Sequence, residues 1–256
     1  MRIRSVVAIA SLFALTLIPL SANRASAQSQ GTEKPVLYTY VSEWTVPRAM
    51  WADYLKNDAA DMDQMKKALA DGTITSFGAY AVINHQEGSP THGSWFCATS
   101  LSNLLKVLEG VRNAPNAVAP PLAAAKHWDY IFSSRLYNAH SGTFTNGYLR
   151  VGRWAPKASD PDGKLLKSTM APLLEKLFAD GALHDYQIAT EDVHSTTPGT
   201  IFIAINANGA EGLDKFEAAL DEAEKNNAAA WVGFGTTLEE KSHTDFLARV
   251  SSSTNK

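Results

Sequence analysis

The sequence predicts an α+β protein made of two copies of one β-α-β-β-α-β unit, covering residues 35–135 and 146–240. Three observations predict it. Residues recur in register: Tyr38, Val41 and Trp44 align with Tyr148, Val151 and Trp154 at a separation of 110, and Ala70, Asp71 and Gly72 with Ala179, Asp180 and Gly181 at 109. That second register sets Phe77 against Tyr186 and His85 against His194, and further on Trp128 meets Trp231 and His140 meets His243 at 103. Within each copy the apolar period changes between two and 3.6 residues in the same order. Each copy also ends its first helix on Asp-Gly, a left-handed stop.

Taken in order, residues 36–44 are aromatic and β-branched, which suits a strand, and Pro47 fits the first turn of a helix reaching about Leu69. Met50, Trp51, Tyr54, Leu55, Met62, Met65 and Leu69 follow helical spacing, and Gly72 ends the run. Residues 77–85 and 94–99 read as two strands joined by a polar turn. Leu101, Leu104, Leu105, Leu108 and Val111 form one face of a second helix capped by Ser100 or Ser102. A Pro- and Ala-rich connector, residues 113–125, leads to a fourth strand at 128–134. The second copy repeats the order: a strand at 148–154, a helix ending at Gly181, strands at 186–194 and 200–206, a helix over 211–225 and a strand at 231–235. Pro172 interrupts its first helix, and residues after Ser242 suit a short terminal helix.

The first 27 residues read as a secretory signal peptide. Arg2 and Arg4 precede an apolar run from Val6 to Leu20, and Ala25 and Ala27 occupy the −3 and −1 places of a cleavage site. The run is shorter than the roughly 20 residues that span a bilayer, so no stable membrane anchor is expected. The pattern is bacterial, placing the mature protein in the periplasm or outside the cell. Losing Arg2, Arg4 and Arg24 takes the formal charge from −3 to −6, which argues against a nucleic-acid partner. Cys97 is the only cysteine, so no internal disulfide forms; it sits in a strand-like run and reads as a buried thiol.

The order β-α-β-β-α-β is the ferredoxin-like arrangement, an antiparallel sheet with both helices on one face. Two such units, each with a Trp closing its first strand and a helix ending in Asp-Gly, resemble the dimeric α+β barrel superfamily. The resemblance covers nearly all of residues 35–240. It implies that the uncovered sheet faces of the two units meet. The superfamily includes haem-binding oxidoreductases of the chlorite dismutase type, cofactor-free monooxygenases and proteins of no known activity, so the resemblance implies haem as one possible cofactor and does not choose a reaction.

The first strand of each copy carries the candidate site. Tyr38, Tyr40 and Trp44 share one face, as do Tyr148, Arg150 and Trp154. Lining an inter-sheet cavity, they suit a small aromatic or acidic molecule, with Arg150 as the cationic hydrogen-bond donor. The alternative is that they fill the interface, with Arg150 paired to a carboxylate such as Glu191. His85 and His194 lie where the second strand of each copy runs into its turn and read as surface residues, His92 lies in the first of those turns, and His140 and His243 read as local hydrogen-bonding groups. No zinc spacing, hydrolase elbow, P-loop or dinucleotide fingerprint occurs, so no metal site is expected. These observations favour an exported small-molecule-binding protein of unknown ligand. The alternatives are a haem-dependent or cofactor-free oxidoreductase, monomeric or oligomeric, and a protein without catalysis.

Overall fold

The computed structural model describes residues 34–114, 119–193 and 199–256. The signal segment and His194 lie outside the described residues. The elements are β1 (Leu37–Thr45), a 3-10 turn (Arg48–Met50), α1 (Trp51–Ala70), β2 (Ser76–Val82), β3 (His92–Ala98), α2 (Leu101–Arg112), α3 (Pro120–Ala123), β4 (Lys126–Ala139) and β5 (Gly142–Phe144). After these come β6 (Tyr148–Trp154), α4 (Lys164–Ala179), β7 (Leu183–Val193), β8 (Ile201–Ala207), α5 (Gly209–Asn226), α6 (Ala228–Thr236) and β9 (Thr244–Asn255).

All strand pairs are antiparallel, and they run β2-β3-β1-β4-β7-β8-β6-β9. Strand β9 then pairs back onto β2, which closes the sheet into a barrel and leaves no long edge exposed. Strand β5 adds a short pairing to β9.

Helices cover the outside. Met62 and Met65 of α1 and Leu104 and Leu108 of α2 pack on Phe77 and Phe96. Leu174 of α4 and Phe216 of α5 pack on Tyr186, Ile203 and Ile205. Ser100 caps α2, its hydroxyl accepting from the Asn103 amide at 3.2 Å. The buried face of α2 is Leu104, Val107 and Leu108, so Leu105 faces solvent instead of the core. Pro172 lies inside α4, which continues through it.

Two expectations are corrected at the C-terminal end. Residues 231–235 belong to helix α6, and residues beyond Ser242 form β9 rather than a helix. A short apolar run has no distinguishing period, and the three alanines before Trp231 tip it towards helix. Polar Thr and Ser residues hide the strand of β9. Trp128, in β4, therefore has no counterpart in Trp231, and His140 follows β4 whereas His243 precedes β9.

Candidate functional site

Alternation along β1 puts Tyr38, Tyr40, Ser42 and Trp44 on one face and Thr39, Val41 and Glu43 on the other. Tyr38 and Tyr40 face the helices, where Tyr40 meets Phe96 with ring centroids 5.3 Å apart. In β6, Trp154 packs into the core beneath α4 and α6. Arg150 lies 5.5 Å over the Phe216 ring of α5, pairs with Glu217, and reaches Asp245 at 3.2 Å. Tyr148 lies 5.9 Å beneath the Arg249 guanidinium.

The expectation that these six residues line the space between the sheets is therefore corrected. An eight-stranded barrel is just wide enough for its own side chains, and here Tyr80, Trp95, Phe132, Phe202 and Phe246 already fill that interior. Arg150 takes Glu217 and Asp245 as partners in place of Glu191. The barrel interior is lined instead by the alternate residues, among them Thr39, Val41, Glu43, Leu149, Val151 and Arg153.

Four of the six divide between two outer cavities. Tyr40 and Trp44 line a cavity of about 300 Å³ between β1, β3 and β4 and the helices α1, α2 and α3. Arg150 and Trp154 line a smaller one of about 110 Å³, whose wall of Leu166, Phe216, Trp231 and Phe234 is largely apolar. Tyr38 and Tyr148 line neither.

The larger cavity combines apolar walls with converging polar groups. Met62, Met65, Phe96, Leu108 and Leu122 supply the apolar surface. Trp44 stacks on His127 at 3.8 Å and 15°, and the His127 Nε2 shares a 2.9 Å hydrogen bond with the Ser42 hydroxyl. Burial keeps the His127 imidazole pKa below its usual value. The Tyr40 hydroxyl donates to Asp129 Oδ2 at 3.4 Å, and Arg112 lies 3.7 Å from the same oxygen. Asp58, half-buried on α1, has its carboxyl pKa pushed up to about 7 by burial and by the neighbouring Asp61.

Asp58 and Asp61 carry no motif in the sequence. Their one signal was position, since both fall on the helical stripe of Tyr54, Met62 and Met65 instead of the solvent side. His127 carried no signal before β4 was paired: only the ladder sets it opposite Trp44.

The other singled-out groups have local partners. His85 is exposed and stacks on Trp51 at 5.4 Å. His92 is buried against Trp51 and Tyr54, with a 2.9 Å hydrogen bond shared with the Thr91 hydroxyl, and burial pushes its pKa down to about 4. His140 stacks on Phe178 and His243 on Trp154. Cys97 is buried 3.2 Å from the Thr39 hydroxyl, and burial raises its pKa. Among the described residues no cluster of His, Cys, Asp and Glu could hold a metal ion, and no helix is long and apolar enough to cross a membrane.

The larger cavity does not fit haem. Its imidazole, His127, lies flat on Trp44 with Nε2 engaged by Ser42. Asp58, Asp61 and Asp129 would repel propionates, against the single cation Arg112.

No family model and no curated protein matches the chain. Solved structures do. A monooxygenase-like protein from Fusobacterium nucleatum matches with a TM-score of 0.64 at 11% identity, over 88% of this chain and 96% of that one. An anthrone oxidase-like protein matches with a TM-score of 0.54 at 10% identity, over 87% and 94%. The chlorite dismutase of Candidatus Nitrospira defluvii, as a point variant, matches with a TM-score of 0.50 at 11% identity, over 86% and 92%.

Proposed function

The chain has the fold of the dimeric α+β barrel superfamily, and on that premise we propose that it is an oxidoreductase acting without haem on an electron-rich aromatic molecule. We read its halves as tandem ferredoxin-like units and the mature chain as exported. The observation that carries the function is the convergence of Asp58, the Ser42–His127 pair and the Tyr40–Asp129 pair around one aromatic-walled cavity of about 300 Å³.

That cavity suits a flat molecule, held against Trp44, Tyr40 and Phe96, with hydroxyl or carbonyl groups reaching Ser42 and Tyr40. Its three carboxylates disfavour an acidic ligand and narrow the sequence-based expectation to a neutral phenol or anthrone. Asp58, with a pKa about 7, is suited to take a proton from an activated C–H or phenolic O–H. The resulting anion gives one electron to dioxygen, and the radical pair combines to a peroxide. Loss of water leaves a carbonyl, so that a CH2 group and O2 become C=O and H2O.

Oxygen uptake by purified protein with anthrone tests this. Asp58→Asn is expected to lower kcat by about 10²–10⁴-fold while KM changes little. Quenching of Trp44 fluorescence without oxygen uptake would reduce the function to binding, and neither response would overturn the site. For export, N-terminal sequencing of secreted material is expected to begin at Gln28, and a start at Met1 would refute it.

A further inference from the structure

Strands β1 and β6 have matching neighbours. β1 pairs with β3 and β4, which sets Ser94 and Asp129 beside Ser42. β6 pairs with β8 and β9, which sets Ile203 and Asp245 beside Gly152. Two residues further along each strand, on the same helix-facing side, stands a tryptophan, Trp44 or Trp154. Each stacks on a histidine, His127 or His243. The two outer cavities therefore occupy corresponding places, one at Ser42 and the other at Gly152.

The two indoles lie differently. A Cβ on Gly152 would overlap the six-membered ring of Trp154, because that indole folds back along β6 as it packs into the core. Only a glycine leaves that space. On β1 the same space holds the Ser42 side chain, whose hydroxyl shares the 2.9 Å hydrogen bond with His127 Nε2. Trp44 lies flat on the imidazole so held, with ring centroids 3.8 Å apart. The volumes follow: about 300 Å³ stays open at Ser42 and about 110 Å³ at Gly152, where Trp231 and Phe234 of α6 add to the filling. A cavity of about 150 Å³ holds one benzene ring, so the first admits fused rings and the second not even one.

We propose that Ser42 determines the specificity of the larger outer cavity, its Cβ holding the Trp44 indole off β1 and so keeping room for a fused-ring substrate. The choice of ligand rests on the oxidoreductase reading of that cavity, whereas the place of the indole is a property of the free protein. Without the Cβ, folding back would bury more of the Trp44 ring against the strand, and loss of the hydroxyl would release His127 at the same time. In this role Ser42 is a positioning residue that acts through Trp44.

Crystal structures of the ligand-free protein and two variants read the ring directly. Ser42→Gly is expected to fold the Trp44 indole back over position 42, as Trp154 lies over Gly152. Ser42→Ala, which keeps the Cβ and loses only the hydroxyl, is expected to leave the indole in place. Anthrone binding, titrated without oxygen, is expected to weaken no more than about tenfold in Ser42→Ala, the worth of one hydrogen bond, and at least about tenfold further in Ser42→Gly. An indole unmoved in Ser42→Gly, or folded back in Ser42→Ala as well, overturns the proposal. If Ser42→Gly does not fold, Gly152→Ala is the reverse test: its Cβ is expected to turn Trp154 away from β6, and a ring left in place over a displaced strand overturns the proposal equally. Wild-type protein that binds no anthrone counts against the oxidoreductase reading alone, since the ring positions still decide the role of Ser42.

Discussion

Asp58 shows how one residue turns from a helix surface charge into a candidate base. Its carboxyl pKa is raised to about 7 because burial penalises the anion, and Asp61 adds like-charge repulsion. The sign of the linkage follows: a carboxyl whose folded pKa lies above its unfolded value holds its proton more tightly when folded. Its contribution favours the fold most at low pH and declines as pH rises from about 4 to about 7. His92 opposes this, because its pKa of about 4 makes stability fall as pH drops below the ordinary histidine range. Asp58→Asn is therefore expected to raise the melting temperature at pH 8 and to raise it by less at pH 5, where only part of that window has been crossed. The same gain at both pH values would remove the carboxyl from this role.

Strands β2 and β3 show why alternation alone is not packing. Gly78 lies beneath the Trp95 indole and Gly93 beneath the Tyr80 phenol, and a Cβ at either position would overlap the ring. The two strands pair these residues directly, Gly78 with Trp95 and Tyr80 with Gly93, so each ring lies over a glycine of the neighbouring strand. Large and small residues thus interlock inside the barrel. Gly93→Ala is expected to cost about 1–3 kcal/mol in urea unfolding, the range for overpacking a filled core. An unaffected Gly93→Ala would mean that Tyr80 is free to move aside.

At the scale of the whole molecule, the first four main strands and the last four meet along two seams, β4 with β7 and β2 with β9. Glu43 and Arg153 join them across the interior as well. Neither half closes its sheet alone, so heating is expected to give one cooperative transition. Glu43→Ala, by stranding Arg153, is expected to lower that transition as a whole, by a penalty on the order of 3–5 kcal/mol, moderated because Arg153 keeps some contact with water. Two separate transitions in calorimetry, with only one moved by the substitution, would show the halves to be independent.

The strands around Tyr38–Trp44 and Tyr148–Trp154, the helices ending near Gly72 and Gly181, and the apolar faces of α1 and α2, apart from the exposed Leu55 and Leu105, were legible in the amino-acid sequence. Each rests on local periodicity or on a residue with a fixed backbone preference. The α+β class with an antiparallel sheet was legible too, since the order of those elements limits how a sheet can form. Which face of β1 looks inward was not. Alternation divides Tyr40 and Trp44 from Val41 and Glu43, but each set has a buried member, Tyr40 in one and Glu43 in the other, and only the closed barrel sends Tyr40 and Trp44 towards the helices and the Glu43–Arg153 pair inward. Likewise β9 has a weak local signal and is fixed by pairing with β6 and β2 at once. The outer cavity brings Asp58, Ser42, Tyr40, His127 and Asp129 together from α1, β1 and β4, and separations of up to 89 residues leave no trace in local sequence.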